Sequence, residues 1–146
     1  MATIKRGVYP VPLNDPYADE LVQPFWDNAL KGKLTAARCL NCGIFHLPPQ
    51  PYCFVCQHRD YEWVKLPGTG TIYTFTVVRH PLRPQLAEAV PYVSAIIELD
   101  GTQGAGARIQ ANVIDCDPDR VGIGDRVRVV FEKVSETLAV PRFRPI

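Results

Sequence analysis

The chain is short of reactive side chains. Among its 146 residues are three histidines and five cysteines, and four of those cysteines crowd into one short stretch. No Ser-His-Asp set assembles with any spacing logic, because His46 and His58 lie near cysteines and His80 sits in a proline loop. Excess charge of either sign is also missing. Sixteen Lys and Arg against fifteen Asp and Glu leave +1, spread through the sequence, which excludes a global field that would draw the protein to nucleic acid or an acidic membrane. No apolar run approaches the roughly 18 residues needed to span a bilayer. There is no lipidation signal at either end, and the opening ATIKRGVYPVPLNDP has no apolar core of a signal peptide. Gly101, Gly104 and Gly106 do not match G-x-G-x-x-G and follow a strand into a hairpin, so they read as a flexible turn instead of a phosphate loop.

What is present is Arg38 to Cys56, RCLNCGIFHLPPQPYCFVC, with Cys39, Cys42, Cys53 and Cys56 as two C-x-x-C pairs. Two such elbows brought face to face give the four thiolates that tetrahedral Zn²⁺ prefers in a structural site. A pair of disulfides suits a small secreted chain, which the N-terminus argues against. A thioredoxin-type redox pair uses one C-x-x-C beside a βαβ unit. Reduced, metal-bound cysteines predict a cytoplasmic protein. Gly43 allows positive φ after the first elbow. Gln57 stands in that place after the second, so a less ideal or differently closed turn is expected there. His46 and His58 are alternative ligands only if a thiolate is not used.

The flanking sequence divides into an N-terminal arm with short helices (1–33), a zinc ribbon (34–66) and a β domain (67–146). Prolines make the first sixteen residues an extended arm, floppy or laid along a partner. DPYADELVQPFWDNALKGKL predicts one or two helices. Asp15 caps the first, with Pro16, Asp19 and Glu20 in its first turn. Pro24 restarts the second and Gly32 stops it. On that second helix Phe25, Trp26, Ala29 and Leu30 form an amphipathic stripe, read either as packing on the chain itself or as a partner-docking surface.

KLTAAR and YEWVKL are short strands leading into and out of the elbows, as in a ribbon held by metal because its own core is small. GTGTIYTFTVVRH is a long strand with Ile72, Thr74, Thr76 and Val78 on one side and Tyr73, Phe75 and Val77 on the other. PLRPQLAEAVP is a surface loop. YVSAIIEL, RIQANVID and RVRVVFEKV are further strands, and LAVPRFRPI is an extended tail or edge strand. About five hairpin-connected strands in this length suit a small closed barrel of OB type. The fold class is mainly β with short N-terminal helices.

Little here promises chemistry by the chain itself. Cys116 is the one spare thiol, and the carboxylates of Asp115 and Asp117 beside it disfavour the thiolate. Arginine suits phosphate, so Arg79 with His80, Arg83, Arg142 and Arg144 are the candidates for contact with a phosphate or an acidic partner. Tyr73 and Phe75 offer stacking platforms for single-stranded nucleic acid, but that role needs a basic groove, and near-neutral charge with the acidic IDCDPD weakens it. Zinc as a Lewis acid needs an open coordination position that four cysteines do not leave.

FWDNALKGKLTAARCLNCG, Pro48 and Pro49, GTGTIYTFTVV, PYVSAIIELD, GIGDRVRVVFE and the closing FRP together resemble the acyl-CoA-associated proteins with a rubredoxin-like zinc ribbon followed by an OB-fold. The resemblance covers about Pro24 to Pro145. Gln50 departs from it, since the family often has Arg there. What the resemblance implies is a non-catalytic subunit, with structural zinc, of a complex acting on CoA thioesters. Its catalytic partner is a thiolase-like acyltransferase, as in the small subunits of thiolases such as benzoylsuccinyl-CoA thiolase; alternatively it is a hydratase or aldolase. Acyl-CoA is then a ligand of the complex.

Overall fold

The computed structural model describes residues 4–10, 19–102 and 106–146. The cap expected at Asp15 and Pro16 lies outside these residues. Asp19 instead shapes a turn, its Oδ1 accepting the N–H groups of Leu21 and Val22 at 3.0 and 3.1 Å. Helix α1 (Gln23–Leu30) follows, with proline in its first turn, where a missing N–H costs nothing. Gly32 ends it at φ 74°. The N–H groups of Gly32 and Lys33 return to the carbonyls of Ala29 and Asn28 at 2.9 Å each, satisfying carbonyls that the helix leaves open.

Strands β1 (Thr35–Cys39), β2 (Phe45–His46) and β3 (Tyr61–Lys65) form an antiparallel sheet in the order β2-β1-β3. Strands β4 (Thr69–Val78), β5 (Tyr92–Leu99), β6 (Arg108–Val113), β7 (Arg126–Lys133) and β8 (Ala139–Pro145) close a barrel in the order β4-β5-β6-β8-β7. Gly70 leaves room where β4 runs against β5, since a Cβ there would meet the Glu98 carbonyl oxygen at 2.6 Å.

Three expectations change. LAVPRFRPI is no tail or edge, because β8 pairs with β7 along its whole length and with β6 at Val113↔Phe143, so it closes the barrel. The long strand β4 carries an irregularity between Ile72 and Thr74. One extra residue moves every later side chain to the opposite face, so Ile72, Phe75 and Val77 all pack on the core while Tyr73 is exposed. The loop before β5 is not wholly surface, since Leu86 and Ala89 are buried.

Ribbon and barrel share their interior. Phe25 of α1 and Leu34, Ala36 and Phe45 of the ribbon belong to the same buried cluster as Ile72, Ile97, Val127 and Phe143. Neither half would keep its apolar surface covered without the other. The arm is also committed to its own chain: Gly7 N–H donates to Ala89 O at 2.8 Å, and the Tyr9 ring meets Tyr92 edge-on at 5.3 Å.

Asp100 holds the start of β4 to the turn after β5 and to β7. It accepts from Thr69 Oγ1 and from both terminal nitrogens of Arg126. The Arg126 and Thr69 hydrogen bonds bring its carboxyl down to about 2. A carboxylate with a depressed folded pKa stabilises the fold above its unfolded value, near 3.8, and loses that contribution as pH falls toward 2. Asp100→Asn should therefore flatten the drop in thermal midpoint between pH 4 and pH 2, measured against the unsubstituted protein by circular dichroism.

Candidate metal centre and its surroundings

The two elbows are built alike. In the first, Gly43 N–H donates to Cys39 O at 3.0 Å and Cys39 N–H to Ile44 O at 2.9 Å; in the second, Gln57 N–H donates to Cys53 O at 2.9 Å and Cys53 N–H to His58 O at 2.8 Å. Gly43 has φ 75° and Gln57 φ 65°. The second turn is thus closed in the same way as the first, with a glutamine held in the left-handed region at a cost of roughly 1–2 kcal/mol. The turn is kept because it brings its cysteines to the sulfurs opposite.

All four Sγ atoms lie within 4.8 Å of one another. Cys39 and Cys56 are 3.6 Å apart, and Cys42 and Cys53 3.5 Å. A tetrahedral site with Zn–S near 2.3 Å has edges of about 3.8 Å, whereas a disulfide brings sulfurs to about 2 Å. The donor set fits zinc. Asn41 N–H points at Cys39 Sγ at 3.4 Å. The Asn41 side chain and the His58 amide bring the Cys56 thiol down to about 6, favouring the thiolate that ligates metal. When bound, a four-thiolate zinc supplies a crosslink and leaves no open position for a substrate.

Neither histidine near the elbows joins this set among the described residues. His58 faces Asp60 at 3.8 Å. His46 is buried on β2 between Phe54 and Tyr61, and both its ring nitrogens lack a hydrogen-bond partner among the described residues. Burial holds it below its ordinary pKa, so the ring is neutral at pH 7. Cys116 is half-buried with its thiol directed at Val113 O at 3.5 Å. Burial raises its pKa first, and Asp115 and Asp117 raise it further.

The cations are not brought together. Arg79 and Arg83 follow the far end of β4, and Arg79 is paired with Asp119. Arg144 is exposed opposite Arg128, which in turn faces Thr69 at the near end of β4. Those ends are about 30 Å apart along a ten-residue strand. Arg142 differs from the expectation altogether. It is 4% exposed, and its guanidinium is spent inside the chain on Glu132 Oε2 at 2.9 Å, Asn112 Oδ1 at 3.1 Å and Tyr9 O at 2.7 Å. It serves as an anchor for the arm; Arg144, two residues on and so on the same face of β8, is exposed, and the difference comes from what covers each position, not from the strand period.

Phe25 is likewise buried in the chain's own core, while Trp26 stands edge-on to it at 5.3 Å and lines a groove with Leu47 and Pro48. Other apolar side chains are exposed: Leu40 between the first two cysteines, Phe54 and Val55 between the second two, and Tyr52 beside them, each 48–59% accessible. The composition of the two C-x-x-C inserts was the available signal for this surface. Among the described residues, no helix is long and apolar enough to cross a membrane.

Comparison with known proteins accords with this geometry. Residues 26–62 match the rubredoxin-like zinc ribbon domain of ChsH2, and residues 63–132 its C-terminal OB-fold domain. A DUF35 domain-containing scaffold protein of Methanothermobacter thermautotrophicus is 38% identical over 104 residues, 70% of this chain and 74% of that protein. A probable enoyl-CoA hydratase alpha subunit of Thermomonospora curvata is 35% identical over 122 residues. That match takes in 83% of this chain but only 36% of the larger protein. Among solved structures, a chain of the Ltp2-ChsH2(DUF35) aldolase superposes with a TM-score of 0.78 at 31% identity, over 90% of this chain and 98% of that one. With the four-cysteine ribbon, the closed five-strand barrel and their order all matched, this chain belongs to the ChsH2/DUF35 family of zinc-ribbon and OB-fold proteins.

Proposed function

We propose that this chain is a non-catalytic, zinc-containing scaffold subunit of a multi-subunit enzyme acting on acyl-CoA thioesters. The observation that carries the reading is the exposed apolar cluster of Leu40, Tyr52, Phe54 and Val55 on a metal-fixed framework. Large apolar side chains fixed at a surface favour a protein partner. The names of relatives as hydratase and aldolase components favour a partner that handles CoA thioesters. The chain's own residues supply docking and no reacting group: Cys116 has a raised thiol pKa, and the four remaining cysteines are ligands.

For the partner we favour a thiolase-type acyltransferase, of the kind that cleaves benzoylsuccinyl-CoA, because the sequence resembles the small subunits of such enzymes. A hydratase or aldolase partner is the second reading, favoured by the named relatives. Arg79, Arg83 and Arg144 are the cations left to meet a CoA phosphate or an acidic partner surface, and Trp26 and the knuckle residues are left to meet protein. The test is isolation of the native complex, identification of its other subunit, and assay with one acyl-CoA for CoA-dependent cleavage, hydration and retro-aldol cleavage. A thiolase-sized partner with CoA-dependent cleavage is expected, and hydration or retro-aldol activity would move the assignment to the second reading. A chain that purifies alone and shifts oligonucleotides would end both.

A further inference from the structure

The barrel is closed by a seam that is only partly hydrogen-bonded. The phase of β6 is fixed by Leu99 N–H donating to Ala107 O at 3.0 Å. Odd-numbered residues of β6 therefore bond to β5, and the backbone groups of Arg108, Gln110 and Asn112 face β8. The next even position, Ile114, does donate to Phe143 O at 2.7 Å. Pairing between β6 and β8 is nonetheless confined to Val113↔Phe143. The reason is in the sequence. Two residues back along a parallel ladder, the donor to Gln110 O would be residue 141, and Pro141 has no N–H.

An open groove of about 300 Å³ lies at this gap, lined by Arg108, Ile109 and Gln110 on one side and by Val140 and Pro141 on the other. Trp26 and Leu47 also line it. At the other end of the seam the arm is held by the Asn112 side chain. Tyr9 N–H donates to Asn112 Oδ1 at 2.9 Å, and Asn112 Nδ2 donates to Gly7 O at 3.1 Å. Beyond Asn112, the edge of β6 at Arg108–Gln110 has no β8 partner among the described residues and faces an apolar groove.

We infer that an extended segment of the catalytic subunit, carrying an apolar side chain, adds to the edge of β6 at Arg108–Gln110, which is unpaired on that side among the described residues. The inference rests on the scaffold reading above and names where the partner engages. A peptide backbone alternates donors and acceptors with the strand repeat, about 6.6–7 Å per two residues, which matches the edge groups of Arg108 and Gln110. Its apolar side chain packs between Trp26 and Ile109, and Pro141 keeps β8 from closing the site.

Amide hydrogen exchange on the zinc-loaded full chain, alone and bound to its catalytic subunit, tests this directly. Alone, the Gln110 amide should exchange quickly while its neighbours Ile109 and Ala111, bonded to β5, exchange slowly. In the complex Gln110 should slow by about 100-fold. In addition, Val140→Trp, which fills the groove from a half-buried position, should weaken the complex at least about tenfold with little change in thermal midpoint. Protection of Gln110 in the isolated chain would overturn the inference. So would a complex that forms without slowing Gln110 and is indifferent to Val140→Trp, or protection that rises with concentration of the isolated chain and so points to a second copy. A chain that forms no complex at all would instead overturn the scaffold reading itself.

Discussion

Stripping zinc from the protein with a strong chelator, or changing Cys39 to Ser, should destabilise the fold and abolish assembly with the proposed catalytic subunit, activity being lost only as a consequence. Cys39 and Cys53 are buried, whereas Leu40, Phe54 and Val55 between the paired cysteines are exposed, so the turns themselves bury little apolar surface. Zinc binding in such modules contributes on the order of 10 kcal/mol, comparable with the whole stability of a small domain. Because Leu34, Ala36 and Phe45 pack into the same cluster as Ile97 and Phe143, loss of the metal should not leave an intact barrel beside an unfolded ribbon. A single, strongly lowered melting transition is expected, with activity of the complex lost as a consequence of lost assembly. Calorimetry and size-exclusion chromatography before and after chelation check this. An unchanged melting point and an intact complex in metal-free protein would contradict it. Since four thiolates leave no substrate position, residual complex at sub-stoichiometric zinc should retain activity in proportion to the complex that survives.

The second large effect is expected at Arg142. Its buried guanidinium joins Glu132 on β7, Asn112 on β6 and the backbone of Tyr9 in the arm. Arg142→Ala would leave a cavity and remove a donor from the buried Asn112 Oδ1, a change that costs about 1–3 kcal/mol. Arg142→Lys should rescue little, because an ammonium on a linear stem cannot reproduce the three-way fork. The specific signature is release of the arm. The Tyr9 amide, which donates to Asn112 Oδ1, should lose exchange protection in either variant, and the edge-on Tyr9–Tyr92 contact should disappear from aromatic spectra. If the Arg142→Ala protein melts normally and Tyr9 stays protected, the anchoring role is wrong. A direct role in CoA binding would instead lower acyl-CoA affinity of the complex without touching the arm, which Arg83→Ala and Arg144→Ala are expected to do.

The parts of the chain legible without coordinates are those governed by neighbours in sequence. Two C-x-x-C elbows name a thiolate metal site because each elbow is a local turn and zinc has few ligand preferences to satisfy. Pro24 and Gly32 bound a helix by local φ restriction. Alternating β-branched residues mark strands because the side-chain period is two. The family resemblance rests on the same kind of linear order, and both domain matches agree with it.

What the sequence could not reveal depends on contacts between distant segments. Nothing local distinguishes LAVPRFRPI as an edge from the strand that closes a barrel, since the difference is whether β6 and β7 arrive on either side. The faces of β4 swap at Tyr73 because the register with β5 slips by one residue, and an inserted residue has no signature in an otherwise clean alternation. Arg142 and Arg144 look equivalent in PRFRP, yet one lies against Asn112 and Glu132 and the other against solvent. The four cysteines by themselves pointed to a thiolate metal clasp. Only the tertiary structure decided that the clasp shares one core with the barrel, that it holds Leu40, Phe54 and Val55 outward, and that among the described residues β6 pairs with β8 at Val113↔Phe143 alone. Ligand spacing is a property of a few adjacent residues, whereas burial and strand pairing are settled by which remote surfaces meet.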